Sequence, residues 1–461
     1  MSEDLFQGYK GQALEVLKKY SARVWAAVDV DTTRGLFQGT ILPRAENNDD
    51  EHIVLKIITG YNIGVDVNTI SDIKETGYKK ANYQIPEKEF PKTKGLPSVK
   101  LLGTGGTIAS RLDYRTGAVI PAFSPGELYG AVPELADICN LDTEKIFAVF
   151  SENMGPKQYI ALAQAIEKEI KKGVQGIVIG HGTDTLQHTA AVLSYMVQNP
   201  PIPIVLVGSQ RSSDRPSSDA ALNLMHAMNT AGNSDIAEVM VCMFGPTSDE
   251  YGLLHRGTRV RKMHSSYRST FRTIGDTPVA RVTRKEIIPI KTEYNHRRKD
   301  QDVKITPCFS EKVTMLYYYP GMKPDVMFAM LDAGYKGIII IGTGLGHVNK
   351  ELYPAIVRAK EMGVSVFMTV QTIWGYVHMF VYDTGRDMMA KGVVPLGNML
   401  PETAYIKLGW VLGQTEDPVE VKKMMLTPIC SDITPREPYN GYLVLQGGVP
   451  EVDEFVRKVH K

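Results

Sequence analysis

The stretch Val99-Lys100-Leu101-Leu102-Gly103-Thr104-Gly105-Gly106-Thr107 decides the architecture of most of the chain. A short apolar run, Val99–Leu102, passes directly into a turn of glycines and threonines. The same rhythm returns downstream. Ile146–Phe150 leads into Ser151-Glu152-Asn153-Met154, and Gly176–Ile179 into Gly180-His181-Gly182-Thr183-Asp184-Thr185. Ile204–Val207 leads into Gly208-Ser209-Gln210-Arg211, and Val239–Phe244 is a further apolar run. Helical patterns separate these runs. In Pro156–Lys172, Ile160, Ala163, Ile166 and Ile170 recur at helical spacing with Lys and Glu between them. Alternating strands and helices predict an α/β region, a mostly parallel sheet covered on both faces.

Toward the C-terminus, Thr283–Asp302 is charged and irregular and reads as an interdomain connection. A second αβ pattern follows, with strand-like Val313–Tyr319, Gly337–Ile341 and Val364–Thr369 and helix-like Met322–Ala333 and Asn349–Met362. Toward the N-terminus the texture differs. After a helix-like Gln12–Tyr20 come the alternating segments Ala22–Val30, Gly35–Leu42, His52–Ile58 and Tyr61–Val67, separated by turns such as the acidic stretch 46–51. Closely spaced short strands predict a small β-barrel or rolled sheet. Asn82–Ser98, with Pro86, Pro91 and Pro97, reads as a semi-extended linker. Three domains are therefore expected: 1–90, a small β-barrel; 96–300, a larger α/β domain; and 311–461, a smaller α/β domain.

The bulk numbers agree with several cores, since 461 residues exceed what one ordinary core organises. A net charge of +1 supplies no global field to recruit nucleic acid or a membrane surface. Cys139, Cys242, Cys308 and Cys430 are far apart and form no C-x-x-C pair, so free thiols in a reducing cytoplasm are expected. Met1-Ser2-Glu3-Asp4 is acidic and lacks an apolar core, so no signal peptide is expected. No apolar run approaches the roughly 20 residues of a membrane span.

In an open parallel sheet, ligands bind beyond the carboxyl ends of the strands. Four successive apolar runs end in polar turns, three of them glycine-rich, and such turns can converge on one edge. Glycines let the backbone approach a ligand and present N–H groups. The hydroxyls of Thr107 and Thr183 need a base before they attack anything. Lys262, in Gly257-Thr258-Arg259-Val260-Arg261-Lys262, is a candidate where its surroundings favour the neutral amine. Burial or neighbouring arginines do so, and Asp184 alone opposes it. A phosphate loop is the competing reading of the first turn. The P-loop pattern fails for want of any Gly-Lys dipeptide, and the G-x-G-x-x-G fingerprint fails because Ile108 takes the third glycine position. His181 is a metal ligand or a structural hydrogen-bonding residue, with no metal-type spacing in support of the first. The basic stretch His255–Arg272 is an RNA contact, a solvated face or a set of intersubunit salt bridges.

Two motifs, Leu102-Gly103-Thr104-Gly105-Gly106-Thr107-Ile108-Ala109-Ser110 and Gly180-His181-Gly182-Thr183-Asp184-Thr185-Leu186, resemble those of the asparaginase/glutaminase type I amidohydrolase family, from about Ser98 onward. The resemblance implies an asparaginase-like fold of two parallel-sheet domains. It makes Thr107 the nucleophile of the first motif and Thr183, Asp184 and Lys262 a second catalytic group. It makes Ser151 a binder of the substrate carboxylate and Tyr114 the tyrosine of a mobile lid. Which threonine acts in which half-reaction stays open. One departure is Glu152, where many family members have glutamine; a carboxylate there would pair with the substrate α-ammonium.

The N-terminal extension, the Ser-Glu-Asn-Met turn and Gly342-Thr343-Gly344-Leu345-Gly346-His347 resemble the GatD family, the D-type components of archaeal glutamyl-tRNA(Gln) amidotransferases. That resemblance implies glutamine hydrolysis, with ammonia passed to an E-type partner protein, which binds tRNA and activates the glutamyl γ-carboxylate with ATP. It implies no metal or cofactor in this chain, ATP and magnesium in the partner, and a homodimeric core. Two competing readings are a free-standing asparaginase and a non-catalytic tRNA-binding or scaffolding component.

Overall fold

The computed structural model describes residues 5–44, 48–57, 62–78, 90–105, 110–112, 119–121, 132–211, 217–300, 302–441 and 458, with 110–112 and 119–121 as backbone alone. Thr107 and Tyr114 lie outside the described residues.

The N-terminal region opens with helix α1 (Gly11–Lys19), whose Ala13 and Leu17 share one face and are buried. Strands β1 (Ala26–Thr32), β2 (Gly35–Ile41), β3 (His52–Ile57), β4 (Asn62–Asp66) and β5 (Ile70–Tyr78) follow. They form an antiparallel sheet in the order β4-β3-β2-β1-β5. Val28, Val30, Ile41, Ile53 and Leu55 close its core against Leu17.

The main sheet begins at β6 (Ser98–Gly103), followed by a short hairpin of β7 (Ser110–Leu112) and β8 (Val119–Pro121). Then come β9 (Asn140–Lys145), α2 (Pro156–Lys171), β10 (Gly176–Gly180), α3 (Leu186–Met196), β11 (Val197–Gln198), β12 (Ile204–Val207), α4 (Ala220–Asn233) and β13 (Val239–Phe244). The chain turns back through β14 (Gly252–Arg256), a hairpin of β15 (Val260–Lys262) and β16 (Phe271–Thr273), then β17 (Ala280–Val282), β18 (Ile287–Pro289) and β19 (Lys304–Ile305). Eight described strands stand in the order β18-β17-β14-β13-β12-β10-β6-β9. From β13 to β9 the neighbours are parallel, and β14, β17 and β18 extend the sheet antiparallel. Alternate residues enter two cores. Leu102, Ile177, Ile179 and Leu206 face one, while Val99, Leu101, Val178 and Val205 face the other.

A second parallel sheet, β20 (Val313–Tyr317), β21 (Gly337–Gly342), β22 (Ser365–Val370) and β23 (Val394–Pro395), carries α5 (Asp325–Asp332), α6 (Tyr353–Glu361), α7 (Asp383–Ala390), α8 (Pro401–Leu412) and α9 (Pro418–Leu426). Ile339, Ile341, Phe367 and Leu408 of this part share one continuous apolar core with Ile179 and Leu206.

Two sequence expectations are corrected. Ile146–Phe150 is not a strand; the strand beside β6 is the polar Asn140–Lys145. Its acidic side chains are held at the sheet edge by Lys100, whose ammonium lies 2.7 Å from Asp142 and 3.5 Å from Glu144. An edge strand needs one apolar face at most, so apolar content is a poor guide to it. Thr283–Asp302 is more than a connection, because β18 lies within it and completes the sheet edge. Arg297 docks the rest, donating to the Ser234 and Ala231 carbonyls at the end of α4.

Candidate active site

The five parallel strands of the main sheet run 2-1-3-4-5 in chain order, so the strand order reverses between β6 and β10. In such a sheet the crevice outside the carboxyl ends at the reversal is where ligands bind. Both sequence motifs start there. The Thr104 N–H and hydroxyl donate to the Gly180 carbonyl at 3.1 and 2.9 Å, which joins the two turns. Gly105 is required on two counts. Its φ is +112°, and a Cβ there would lie 2.4 Å from the Val149 carbonyl oxygen. That carbonyl belongs to the irregular 146–150 segment, which hydrogen-bonds to Gly103 and Thr104 and so lines the crevice without being a strand.

Thr183, Asp184 and Lys262 come together at the end of β10. The Lys262 Nζ lies 2.9 Å from Thr183 Oγ1 and 2.7 Å from Asp184 Oδ1. The threonine is buried, the lysine side chain only 11% exposed and the aspartate 70% exposed. A cation enclosed on its threonine side and open on its carboxylate side can exchange protons with a hydroxyl while staying tied to solvent. Seventy-eight residues separate Asp184 from Lys262. The long excursion through β12, β13 and β14 brings the β15 hairpin back over the β10 turn.

Ser151 sits in a single 3-10 turn, buried, with Glu152 beside it and exposed. The Thr185 hydroxyl donates to the Ser151 carbonyl at 2.5 Å. Gly182 packs against the serine so closely that a Cβ would fall 2.8 Å from Ser151 Cβ. Ser151 is therefore held against the Thr183 turn.

His181 is structural. Its Nδ1 lies 2.6 Å from the Gly182 carbonyl, which can only accept, so Nδ1 carries the proton and Nε2 accepts from the Thr189 hydroxyl at 2.8 Å. Both ring nitrogens are occupied, which leaves none for a metal. Burial drives its pKa down to about 4, against an opposing effect of the Gly182 carbonyl. In the folded state His181 is thus neutral where the unfolded chain, below about pH 6.5, takes up a proton. Stability is unaffected above that pH and falls as pH drops toward 4, by up to about 3 kcal/mol from this residue. The ring signals of His181 in an NMR titration should stay in the neutral form to about pH 4; titration near 6.5 would contradict this.

The basic stretch turns its charges inward. Arg256 pairs with Glu238 at 2.7 Å, Arg261 with Glu402 at 3.0 Å and Arg268 with Asp249 at 2.6 Å. Arg259 is fully buried, donating to Asn398 and Ser431. The stretch forms salt bridges and core contacts within the chain, not a cationic face. Sequence reasoning passes over Thr185, Gln187 and Thr189, which brace the site from the start of α3. Their signal is a cluster of polar residues soon after Thr183-Asp184, broken by Leu186 and followed by the apolar Ala190–Leu193 of the same helix.

Comparison with known proteins identifies the family and the fold. Residues 98–295 match the family model "Asparaginase, N-terminal", residues 312–425 the "Glutaminase/Asparaginase C-terminal domain", and residues 22–75 the "GatD N-terminal domain". The solved L-asparaginase of Thermococcus kodakarensis superposes with a TM-score of 0.65 at 31% identity, over 73% of this chain and 99% of that one. L-asparaginase I of Vibrio cholerae gives 0.64 at 26% identity over the same shares. The D-type glutamyl-tRNA(Gln) amidotransferase component of Thermococcus kodakarensis is 48% identical over 88% of this chain and 92% of its own length. Its counterpart in Methanopyrus kandleri is 46% identical over 92% and 94%. With an asparaginase-like two-sheet body and a small antiparallel N-terminal sheet, the chain belongs to the GatD family of glutamyl-tRNA(Gln) amidotransferase components.

Proposed function

We propose that this chain is the glutaminase of a glutamyl-tRNA(Gln) amidotransferase, releasing ammonia that a partner protein uses to convert Glu-tRNA(Gln) to Gln-tRNA(Gln). The observation that carries the reading is the Lys262 ammonium at 2.9 Å from Thr183 and 2.7 Å from Asp184, beside the Gly103–Gly105 turn. A threonine oxygen attacks the carboxamide carbon, the C–N bond breaks, and ammonia leaves with the proton it gains. Water then cleaves the acyl ester and frees glutamate and the hydroxyl. In the amine form of Lys262, the line to Thr183 Oγ1 carries a proton from hydroxyl or water to Nζ. Backbone N–H groups of the glycine turns stabilise the oxyanion, each such donor being worth about 3 kcal/mol. Thr107 is assigned as the nucleophile of the first motif, Tyr114 as the lid residue and Ser151 as the binder of the substrate carboxylate. The E-type partner is assigned tRNA, ATP and magnesium, and this chain needs no cofactor for these steps. The core is assigned as a homodimer in the cytoplasm.

The test assays the purified chain for glutaminase and asparaginase activity, alone and with the partner, Glu-tRNA(Gln) and ATP. Glutamine hydrolysis that rises with the partner and tRNA supports the proposal. Strong asparaginase activity independent of partner and tRNA would favour the free-standing enzyme that the asparaginase-like body suggests. Inactivity in both conditions would favour a scaffold. Glu152 is assigned the substrate α-ammonium. Glu152→Gln should raise the KM for glutamine about tenfold, the loss of one charge-assisted contact. An unchanged KM would remove Glu152 from the site.

A further inference from the structure

We infer that Gln187 is a positioning residue for Lys262, holding the strand that carries the ammonium; this rests on the glutaminase reading above. The hairpin of β15 and β16 bonds through alternate residues. Met263 N–H donates to the Thr270 carbonyl at 2.9 Å and Ile274 N–H to the Arg259 carbonyl at 2.8 Å, with Arg261 opposite Arg272 between them. In an antiparallel ladder the intervening residue turns its N–H and C=O away from the partner strand. Lys262 is that residue, so its N–H points off the hairpin edge. The side chain of Gln187 meets it there, with Oε1 accepting at 2.9 Å.

The placement closes a ring of contacts. Thr183 and Asp184 receive the Lys262 ammonium, and three residues after Asp184 the second residue of α3 receives the same lysine's backbone. Elsewhere β15 is anchored behind the lysine, by buried Arg259 and by Arg261 on Glu402 at 3.0 Å. Gln187 is the anchor at the lysine itself. It is 9% exposed, which limits the water able to replace its oxygen. A three-residue strand has little ladder of its own to resist displacement. Without the amide oxygen the Lys262 N–H lacks its acceptor, and the edge must shift to find another.

The test uses the full chain and two variants. Gln187→Leu keeps bulk and removes the acceptor; Gln187→Glu keeps an acceptor oxygen at the same reach. For Gln187→Leu we expect kcat for glutamine about tenfold lower with KM changed less than about twofold, the signature of a displaced proton acceptor and not of a lost substrate contact. Gln187→Glu should recover kcat to within about threefold of the parent. Equal losses in both variants, or an unchanged kcat in Gln187→Leu, would overturn the inference. A crystal structure of Gln187→Leu gives a readout independent of activity. Lys262 Nζ displaced from Thr183 Oγ1 supports the role, and Nζ retained at 2.9 Å refutes it. A parent chain that hydrolyses neither glutamine nor asparagine, alone or with the partner, Glu-tRNA(Gln) and ATP, would sink the glutaminase reading, while that structure would still decide the part played by Gln187.

Discussion

Lys262→Ala should lower glutamine-dependent transamidation by about 10^4-fold, the upper end of what a positioned general base contributes. The side chain is packed to 11% exposure, and among the described residues no other Lys, Arg or His side chain hydrogen-bonds to the Thr183 hydroxyl. Truncation therefore leaves the hydroxyl without an adjacent base and Asp184 without its cation. Free ammonium should still support transamidation by the complex, because in the proposed division of labour the partner's chemistry does not pass through this site. Lys262→Arg separates two roles for the residue. Arginine keeps the positive charge and cannot act as a base. It should be nearly as inactive as alanine if proton transfer is the role, and substantially active if charge alone matters. Steady-state assays with glutamine and with ammonium as nitrogen donors make the comparison. Loss of both activities in Lys262→Ala would contradict the division of labour, and retention of both would contradict the role of Lys262.

The parts of this site that are legible in sequence are local. Gly103–Gly105 and Gly180–Asp184 announce themselves because a tight turn at a strand end needs glycine, and the hydroxyls and carboxylate sit within the same few residues. The parallel strands Ile204–Val207 and Val239–Phe244 are legible for a related reason: buried on both faces, they must be apolar throughout. The edge strand Asn140–Lys145 and the largely exposed Ile70–Tyr78 are held by ladders and ion pairs, so their composition carries no strand signal. Gln187 escapes a reading of the sequence for a deeper reason. Its partner is a backbone N–H made outward-facing by a hairpin register, and register at 75 residues' distance is a tertiary fact. Buried Arg259 passes for surface charge on the same account, since its acceptors are two carbonyls, a side-chain amide and a hydroxyl of residues 398, 431 and 434.

Asp432→Ala should destabilise the fold by about 3–5 kcal/mol, the cost of leaving a buried charge without its counterion. Lys407 on α8 and Asp432 are both wholly buried, with Nζ 2.7 Å from Oδ2. The ammonium also donates to the Met425 and Thr427 carbonyls, so its three protons are used. Asp432 accepts the Tyr195 hydroxyl at 2.9 Å and the Ile429 N–H at 2.9 Å. Burial pushes the lysine below its ordinary range and the Tyr195 hydroxyl well above its own. Tyr195 lies near the far end of α3, the helix that begins just after the Thr183–Asp184 turn, and its ring stacks on Trp410 of α8 at 5.7 Å. The pair therefore ties α3 to α8 across the core shared by the two sheets. Urea unfolding of Asp432→Ala measures the effect, and a loss under about 1 kcal/mol would mean that water or a proton shift compensates the lysine. The double variant Lys407→Met, Asp432→Leu removes both charges and should recover most of the loss, because a buried pair stabilises little relative to apolar residues of like volume. Recovery of stability without recovery of glutaminase activity would then show that the pair serves to orient α3, and with it the turn at its start, more than to hold the chain folded.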